Sequence, residues 1–364
     1  MSLAWKELVR RPGRFAVAGS ALTLLVVLLL LLGGLLDGLF LGSTGAIRAQ
    51  DGDVFVYSDT ARDSFLRSRI GPDLRRMVES AEGVGATGGL GVALLGGRTD
   101  GVDETLDIAV IGYERPPKGV PRPPRPGAGW ADRRLADGGV RAGDVLAIGP
   151  ARVPVEVLGF VSDTSYLLQG ALWVEPGTWR AVQSAARPDA TVADGVFQVI
   201  VVAAEGVPSG ELASRIDAAT GGRTSSLTKD QAVLSLPGTR EQNGVFTALI
   251  GVTLFVAGLV SALFFALVTL EQTSLYATLK AIGAGSGRLL SGVVLQAFIV
   301  ASGAAVVGGA ITLGLAQVIP GTIPVQLEPS RSLASAGLVI VTGALGGLVS
   351  LRRIIRVDPA TAIA

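Results

Sequence analysis

The stretch from Phe15 to Leu36 contains no charged residue. A bilayer core takes about 20 apolar residues as a helix, so this run is long enough to cross one. A cleaved signal peptide carries an apolar region of only about 7–15 residues. A permanent anchor is therefore the better reading of a run preceded by Lys6, Arg10, Arg11 and Arg14. Three later runs meet the same length criterion: 244–270, 289–319 (stopped by Pro320) and 333–351.

The basic residues orient these spans, because Lys and Arg collect on the cytosolic side. With four spans, the N-terminal cluster, Lys280 with Arg288, and Arg352, Arg353 and Arg356 all fall on one face. The expected class is a membrane α-helical protein. It has four transmembrane helices in a 1+3 arrangement and a large mixed α+β extracytoplasmic domain between the first two. The expected boundaries are a cytosolic amphipathic N-terminus (1–14), first span (15–42), external domain (43–243), second span (244–270) and cytosolic loop (271–288). The third span (289–319), an external loop (320–332), the fourth span (333–351) and a cytosolic tail (352–364) complete the chain. Its place is the bacterial plasma membrane, multi-pass, with both termini in the cytosol. Small residues at helix-packing spacing, Gly34 with Gly38 and Gly343 with Gly347, predict close helix pairs.

Composition removes whole classes of chemistry. Hydrophobic residues make up 49% of the 364 and 50 are glycine, with a mean hydropathy of +0.53. There is no Cys and no His, which excludes thiolate metal sites, Cys nucleophiles and His-based triads. A net charge of +1 gives no electrostatic case for nucleic acid. No phosphate-binding G-x-x-x-x-G-K-[ST] sequence occurs, so the chain carries no ATP site and is not itself an enzyme.

In the external region, 53–58, 106–114, 154–161 and 197–204 read as strands. Residues 71–80 read as an amphipathic helix with Leu74, Met77 and Val78 on one face, and 210–219 as a second helix. The proline-rich stretch from Arg115 to Trp130 reads as a stiff loop rather than a recognition motif. Gly83–Gly88, "GVGATG", matches a dinucleotide-binding pattern but lacks the strand before it and the helix after it, so it reads as a loop.

Between the second and third spans stands "LYATLKAIGAGSGRLL", residues 275–290. Leu275, Leu279 and Ile282 lie at i, i+4, i+7 and predict a short helix with one apolar face. Gly283 and Gly285 are expected to stop it. From the residues alone, a docking helix for a cytosolic protein and a helix lying on lipid are equally supported.

The order of one span, a large external domain and three spans is here joined by "FFALVTLEQTSLYATLKAIGAG" (264–285) and a terminal "RRIIRVDPATAIA" (352–364). Together these resemble the FtsX/MacB-type ABC transporter permeases, on the HrtB/DevC-like branch. "YATLKAIG" (276–283) is similar to the DevC wording, and "TKDQAVLSLPGTREQNGVF" (228–246) to HrtB. Where many members carry Glu-Ile-Gly ahead of this block, the chain has Leu275, Tyr276 and Ala277. The resemblance implies a homodimer with two copies of a cytosolic ABC ATPase, which would hold the ATP and Mg. It favours Leu275, Tyr276, Leu279, Lys280, Ile282 and Gly283 as the ATPase-coupling residues. The implied function is export or extraction of a lipid, haem or drug-like amphiphile from the membrane. The alternatives are an FtsX-like mechanotransmitter regulating a cell-envelope enzyme, and a membrane-anchored binding protein.

A charge at membrane depth is costly and marks function. Asp37 stands at the outer end of the first span and Glu241 just before the second, with Phe40, Gln242 and Phe246 at similar depth. Two copies of this set are expected to line a pocket for a hydrophobic substrate, the competing reading being carboxylates facing water. For haem, only Tyr57, Tyr113, Tyr166 or a carboxylate such as Glu241 remain as iron ligands. This ranks a lipid or another amphiphile ahead of haem.

Overall fold

The first apolar run folds as one unbroken helix, α1 (Pro12–Arg48). At 1.5 Å per residue its 37 residues extend about 55 Å, well beyond a hydrocarbon core of about 30 Å. The computed structural model describes residues 12–99, 104–282, 285–319 and 323–348. The amphipathic N-terminus and the cytosolic tail expected from sequence lie outside these residues. The chain divides into two units, 39–241, called the external unit after its expected side, and a membrane unit made of its two flanks. The expected external domain began at 43, yet the last turns of α1 are part of its core.

The external unit is built on the pattern β1 (Val54–Ser58), α2 (Pro72–Glu79) and β2 (Val84–Arg98), then β8 (Val199–Ala204), α5 (Ser209–Ala219) and β9 (Thr224–Thr228). These strands run in the order β9-β1-β8-β2 with every pair antiparallel, the split βαβ arrangement of a ferredoxin-like layer. Between β2 and β8 the chain inserts β3 (Leu106–Tyr113), β4 (Ala128–Asp132), α3 (Arg133–Asp137), β5 (Val145–Ile148), β6 (Val153–Val161), β7 (Gly170–Val174) and α4 (Pro176–Ala186). Their pairings β2–β3–β7–β4–β6–β5–β2 close on themselves, so β2 is shared by a six-stranded barrel and the open layer. One face of every barrel strand feeds a single apolar cluster, including Ala93, Ile108, Ala131, Leu146, Val155 and Leu172.

The "GVGATG" stretch is therefore no loop. From Val84 onward it is the first part of β2, paired with β8. Just beyond it, two further glycines of β2 make room for large rings. A Cβ at Gly89 would sit 2.4 Å from the Phe197 ring, and one at Gly91 2.1 Å from Trp179. Gly112, directly opposite Gly91 on β3, meets Trp179 as well. Trp179 is fixed by α4, whose N-cap Glu175 accepts bonds from the Gly177 and Thr178 amides.

On the other face of the open layer, Phe55 and Tyr57 pack with Ala46 and Ile47 of α1. The loop after β6 clamps this helix end. The Ala46 amide donates to Ser165 O, and the Leu167 and Leu168 amides donate to Ser43 O and Gly42 O. Leu167 and Leu168 both take positive φ (49° and 65°) to make this approach, a backbone region that branched side chains rarely adopt. Arg48 adds an ion pair to Asp163 at 2.5 Å. The proline-rich segment after β3 has no regular structure until β4 begins at Ala128. It is held by the Lys118 amide on Ala49 O and by the Tyr113 hydroxyl on Pro121 O.

The membrane unit contains α7 (Thr239–Glu271), α8 (Thr273–Ala281), α9 (Ser286–Val318) and α10 (Pro329–Leu348) with the start of α1; a short α6 (Lys229–Leu234), capped by a Thr228/Gln231 box, closes the external unit. Residues 15–48, 244–271 and 291–318 are long and apolar enough to cross a membrane. The fourth apolar helix, α10, stands where the fourth span is expected. Phe15, Leu22, Phe265, Val293 and Ala297 form one cluster among α1, α7 and α9. Gly343 packs on Ala301, Gly346 on the α7 backbone at Gly258, and Ser261 Oγ donates to Gly343 O. The second small-residue pair thus packs helices as expected through Gly343, with Gly346 beside it; the surroundings of Gly347 lie outside those described. The first pair does something else. Gly34 and Gly38 are saddled by the extended segment 323–328, with the Gln326 amide donating to Gly34 O at 2.9 Å. A Cβ at Gly38 would fall 1.7 Å from Pro324 O, so the expected helix pair at Gly34 and Gly38 is replaced by a strap.

Candidate functional site

Two places in the membrane unit carry the residues singled out above. The first is α8, separated from α7 by Gln272 alone. It supplies the short helix read from the sequence, but Leu279 and Ile282 are not presented together. Leu279 is half-buried against the α1/α7/α9 cluster, and Ala277 is fully buried. Ile282 follows the last helical residue as its C-cap and stands out, 77% exposed. The helix stops before the glycines. Gly285 has extended φ/ψ and is the N-cap of α9, so it starts the next helix rather than ending this one. Gly283 and the side chains of Leu275 and Tyr276 lie outside the described residues. Lys280 lies in the last turn of α8, where a cation meets the negative end of the helix.

The second place is Asp37. It is buried, 4% exposed, and its Oδ1 accepts a bond at 2.5 Å from Nη1 of Arg331 in the first turn of α10. The pair borders a cavity of about 270 Å³ whose wall includes Leu29, Gly33, Thr247 and Ile250. The sequence reading grouped Asp37 with Phe40, Glu241, Gln242 and Phe246. Phe40 instead packs against the core of the external unit. Phe246 is half-buried on α7 beside the cavity-lining Thr247. The side chains of Glu241 and Gln242 lie outside the described residues. Arg331 was missed because it falls in the expected external loop. The available signal was that it is the sole basic residue between Pro320 and Leu333, at the border of an apolar helix.

The external tyrosines are poor iron ligands. Tyr57, Tyr113 and Tyr166 are all buried, and burial pushes each phenol well above its usual pKa, so the phenolate that would bind iron is disfavoured.

Helices long and apolar enough to cross a membrane flank a large mixed α/β unit. Residues 247–359 match the model of the FtsX-like permease C-terminal family, and the chain carries that domain. An uncharacterized ABC transporter permease of Mycobacterium tuberculosis is 42% identical over 93 residues, 26% of this chain and 26% of that relative. A Staphylococcus haemolyticus protein named as the hemin transport system permease HrtB is 29% identical over 113 residues, 31% of this chain and 32% of its own length. The matched stretches thus span about a quarter to a third of these relatives. Among solved structures, the extracellular domain of the noncanonic ABC-type transporter YknZ aligns at 15% identity and TM-score 0.32, covering 49% of this chain and 98% of that one. The periplasmic region of MacB from Actinobacillus actinomycetemcomitans aligns at 10% identity and TM-score 0.35, covering 53% and 96%.

Proposed function

We propose that this chain is the membrane subunit of an FtsX/MacB-type ABC transporter and works with a separate cytosolic ATPase, which would hold ATP and Mg. The observation that carries this is the FtsX-like match over 247–359 in a chain with no phosphate-binding loop. Energy then has to arrive from a partner. The segment joining α8 to α9 is the proposed contact, with Ile282 as its exposed apolar residue and Leu275, Tyr276, Lys280 and Gly283 around it. Leu279 is assigned to the helix core instead. The continuity of α1 into the external unit supports a reading in which motion at the membrane is passed outward.

The proposed cargo is a hydrophobic or amphiphilic molecule taken from the membrane. The buried external tyrosines favour a lipid-like molecule over haem. A homodimer is the proposed assembly. Along α7, large apolar residues recur every three or four positions from Val245 to Leu270 and are left uncovered by the described residues, a stripe that a second copy would bury. The test is ATPase activity of the reconstituted pair, screened against lipids, haem and hydrophobic drugs. Stimulation by an amphiphile is expected. No ATPase co-purifying with the chain would overturn the transporter reading, and a cell-wall hydrolase bound to the external unit would favour a mechanotransmitter.

A further inference from the structure

The Asp37 cavity shares Leu30 and Ser332 with a larger cleft of about 780 Å³, walled by α1, α9 and α10. That volume lies within the range of about 300–1,000 Å³ typical of small-ligand sites. Its width is set by two glycines that helix packing does not require. A Cβ at Gly309 or Gly337 would meet nothing within 4 Å, whereas one at neighbouring Gly308 would sit 2.7 Å from Val26. The wall is almost wholly apolar, and Thr312 turns its hydroxyl to Gly308 O at 2.8 Å. The lining hydroxyls are those of Ser302, Thr312 and Ser332, and the charged groups lie beyond Ser332. Arg331 lines the adjoining Asp37 cavity rather than the cleft itself; 57% exposed, it gives one N–H to Asp37, its only side-chain partner among the described residues. A guanidinium has five donors, so most of them remain for a ligand.

An apolar trough that opens beside a cavity carrying a cation has the polarity of a lipid. Its helices belong to the unit whose apolar runs are long enough for a bilayer, so hydrocarbon chains surround the cleft wherever it opens. We propose that the cleft binds a membrane phospholipid, with one acyl chain against Gly309 and Gly337 and the phosphodiester on the free donors of Arg331. The site rests on the membrane placement of these helices and not on ATP-driven transport. Its test needs no ATPase, so either reading can fail alone.

The experiment uses the full chain in nanodiscs of phosphatidylethanolamine and phosphatidylglycerol, with a trace of phosphatidylethanolamine bearing a diazirine in its acyl chain. After irradiation, lipid adducts are mapped by mass spectrometry. Adducts are expected to concentrate on the cleft walls of α9 and α10. Gly337→Trp, which fills the trough, should lower them at least five-fold while leaving adducts at the exposed Leu24 and Leu28 of α1 unchanged. Gly309→Leu serves as the second filling variant if the first does not insert. Arg331→Gln should lower cleft labelling two- to five-fold. Equal labelling of the cleft and of Leu24 and Leu28, or cleft labelling unmoved by a filling variant, would show bulk lipid only and overturn the site. Labelling unmoved by Arg331→Gln would overturn the headgroup contact.

Discussion

Arg331 donates to Asp37 across 294 positions of sequence, tying the first turn of α10 to the last third of α1. The carboxylate is buried and the guanidinium is partly solvated. Removing one partner strands a charge, while removing both does not. Asp37→Asn and Arg331→Gln should each lower the thermal unfolding midpoint of the protein in nanodiscs. The double variant should lose less than the sum, with a coupling energy of about 1 kcal/mol. Strict additivity would show that the pair contributes nothing.

The strap over α1 makes a sharper prediction. Gly38→Ala places a methyl on Pro324 O, so segment 323–328 must lift and the Gln326–Gly34 bond must break. Overpacking of this kind costs about 1–3 kcal/mol. Gly33→Ala is the control, because its Cβ meets nothing within 4 Å and helix propensity favours alanine there. Hydrogen exchange across 323–328 should rise in the first variant and stay constant in the second.

The two residues of the connecting segment separate folding from coupling. Leu279→Asp puts a carboxylate against the membrane helices' core and should reduce the amount of inserted, folded protein. Ile282→Asp changes an exposed side chain and should leave insertion intact while lowering ATPase stimulation at least ten-fold. Size-exclusion profiles together with ATPase assays of the reconstituted pair read both outcomes. Normal stimulation in Ile282→Asp would remove this residue from the proposed contact.

An acid dependence is expected in the external unit. Partial burial pulls the Glu79 carboxyl upward, but hydrogen bonds from Arg75 and Thr87 outweigh it and hold the group below its usual pKa. A carboxyl that is more acidic folded than unfolded stabilises the fold above its unfolded pKa. That contribution is lost as pH falls through the lower, folded value. Unfolding midpoints should therefore drop below about pH 4, near the reference Glu value. Glu79→Gln should flatten part of that slope, and an unchanged slope would assign the acid sensitivity elsewhere.

The glycine pair Gly91 and Gly112 shows where sequence reading fails. Strands 54–58, 106–113, 153–161 and 199–204 are legible because their own side chains are apolar and β-branched. β2 is not, since a glycine announces nothing about which face it presents. Its place becomes visible only when Trp179 and Phe197, distant in sequence, arrive on top of it. The same holds for α8. Spacing placed Leu279 and Ile282 on one face, but the helix ended at Ala281, and tertiary packing drew only Leu279 inward.

Consecutive residues suffice to establish the apolar runs, the residue classes available for chemistry and the FtsX-like wording of the C-terminal part. Each of these is a property of consecutive residues, and transfer of a helix into hydrocarbon depends on little else. Only the tertiary structure decided that β2 joins a barrel to an open layer, that Gly34 and Gly38 receive a strap, and that Asp37 meets Arg331. Those outcomes depend on which distant groups share a small space, and burial makes each close contact or charge consequential only once they meet there.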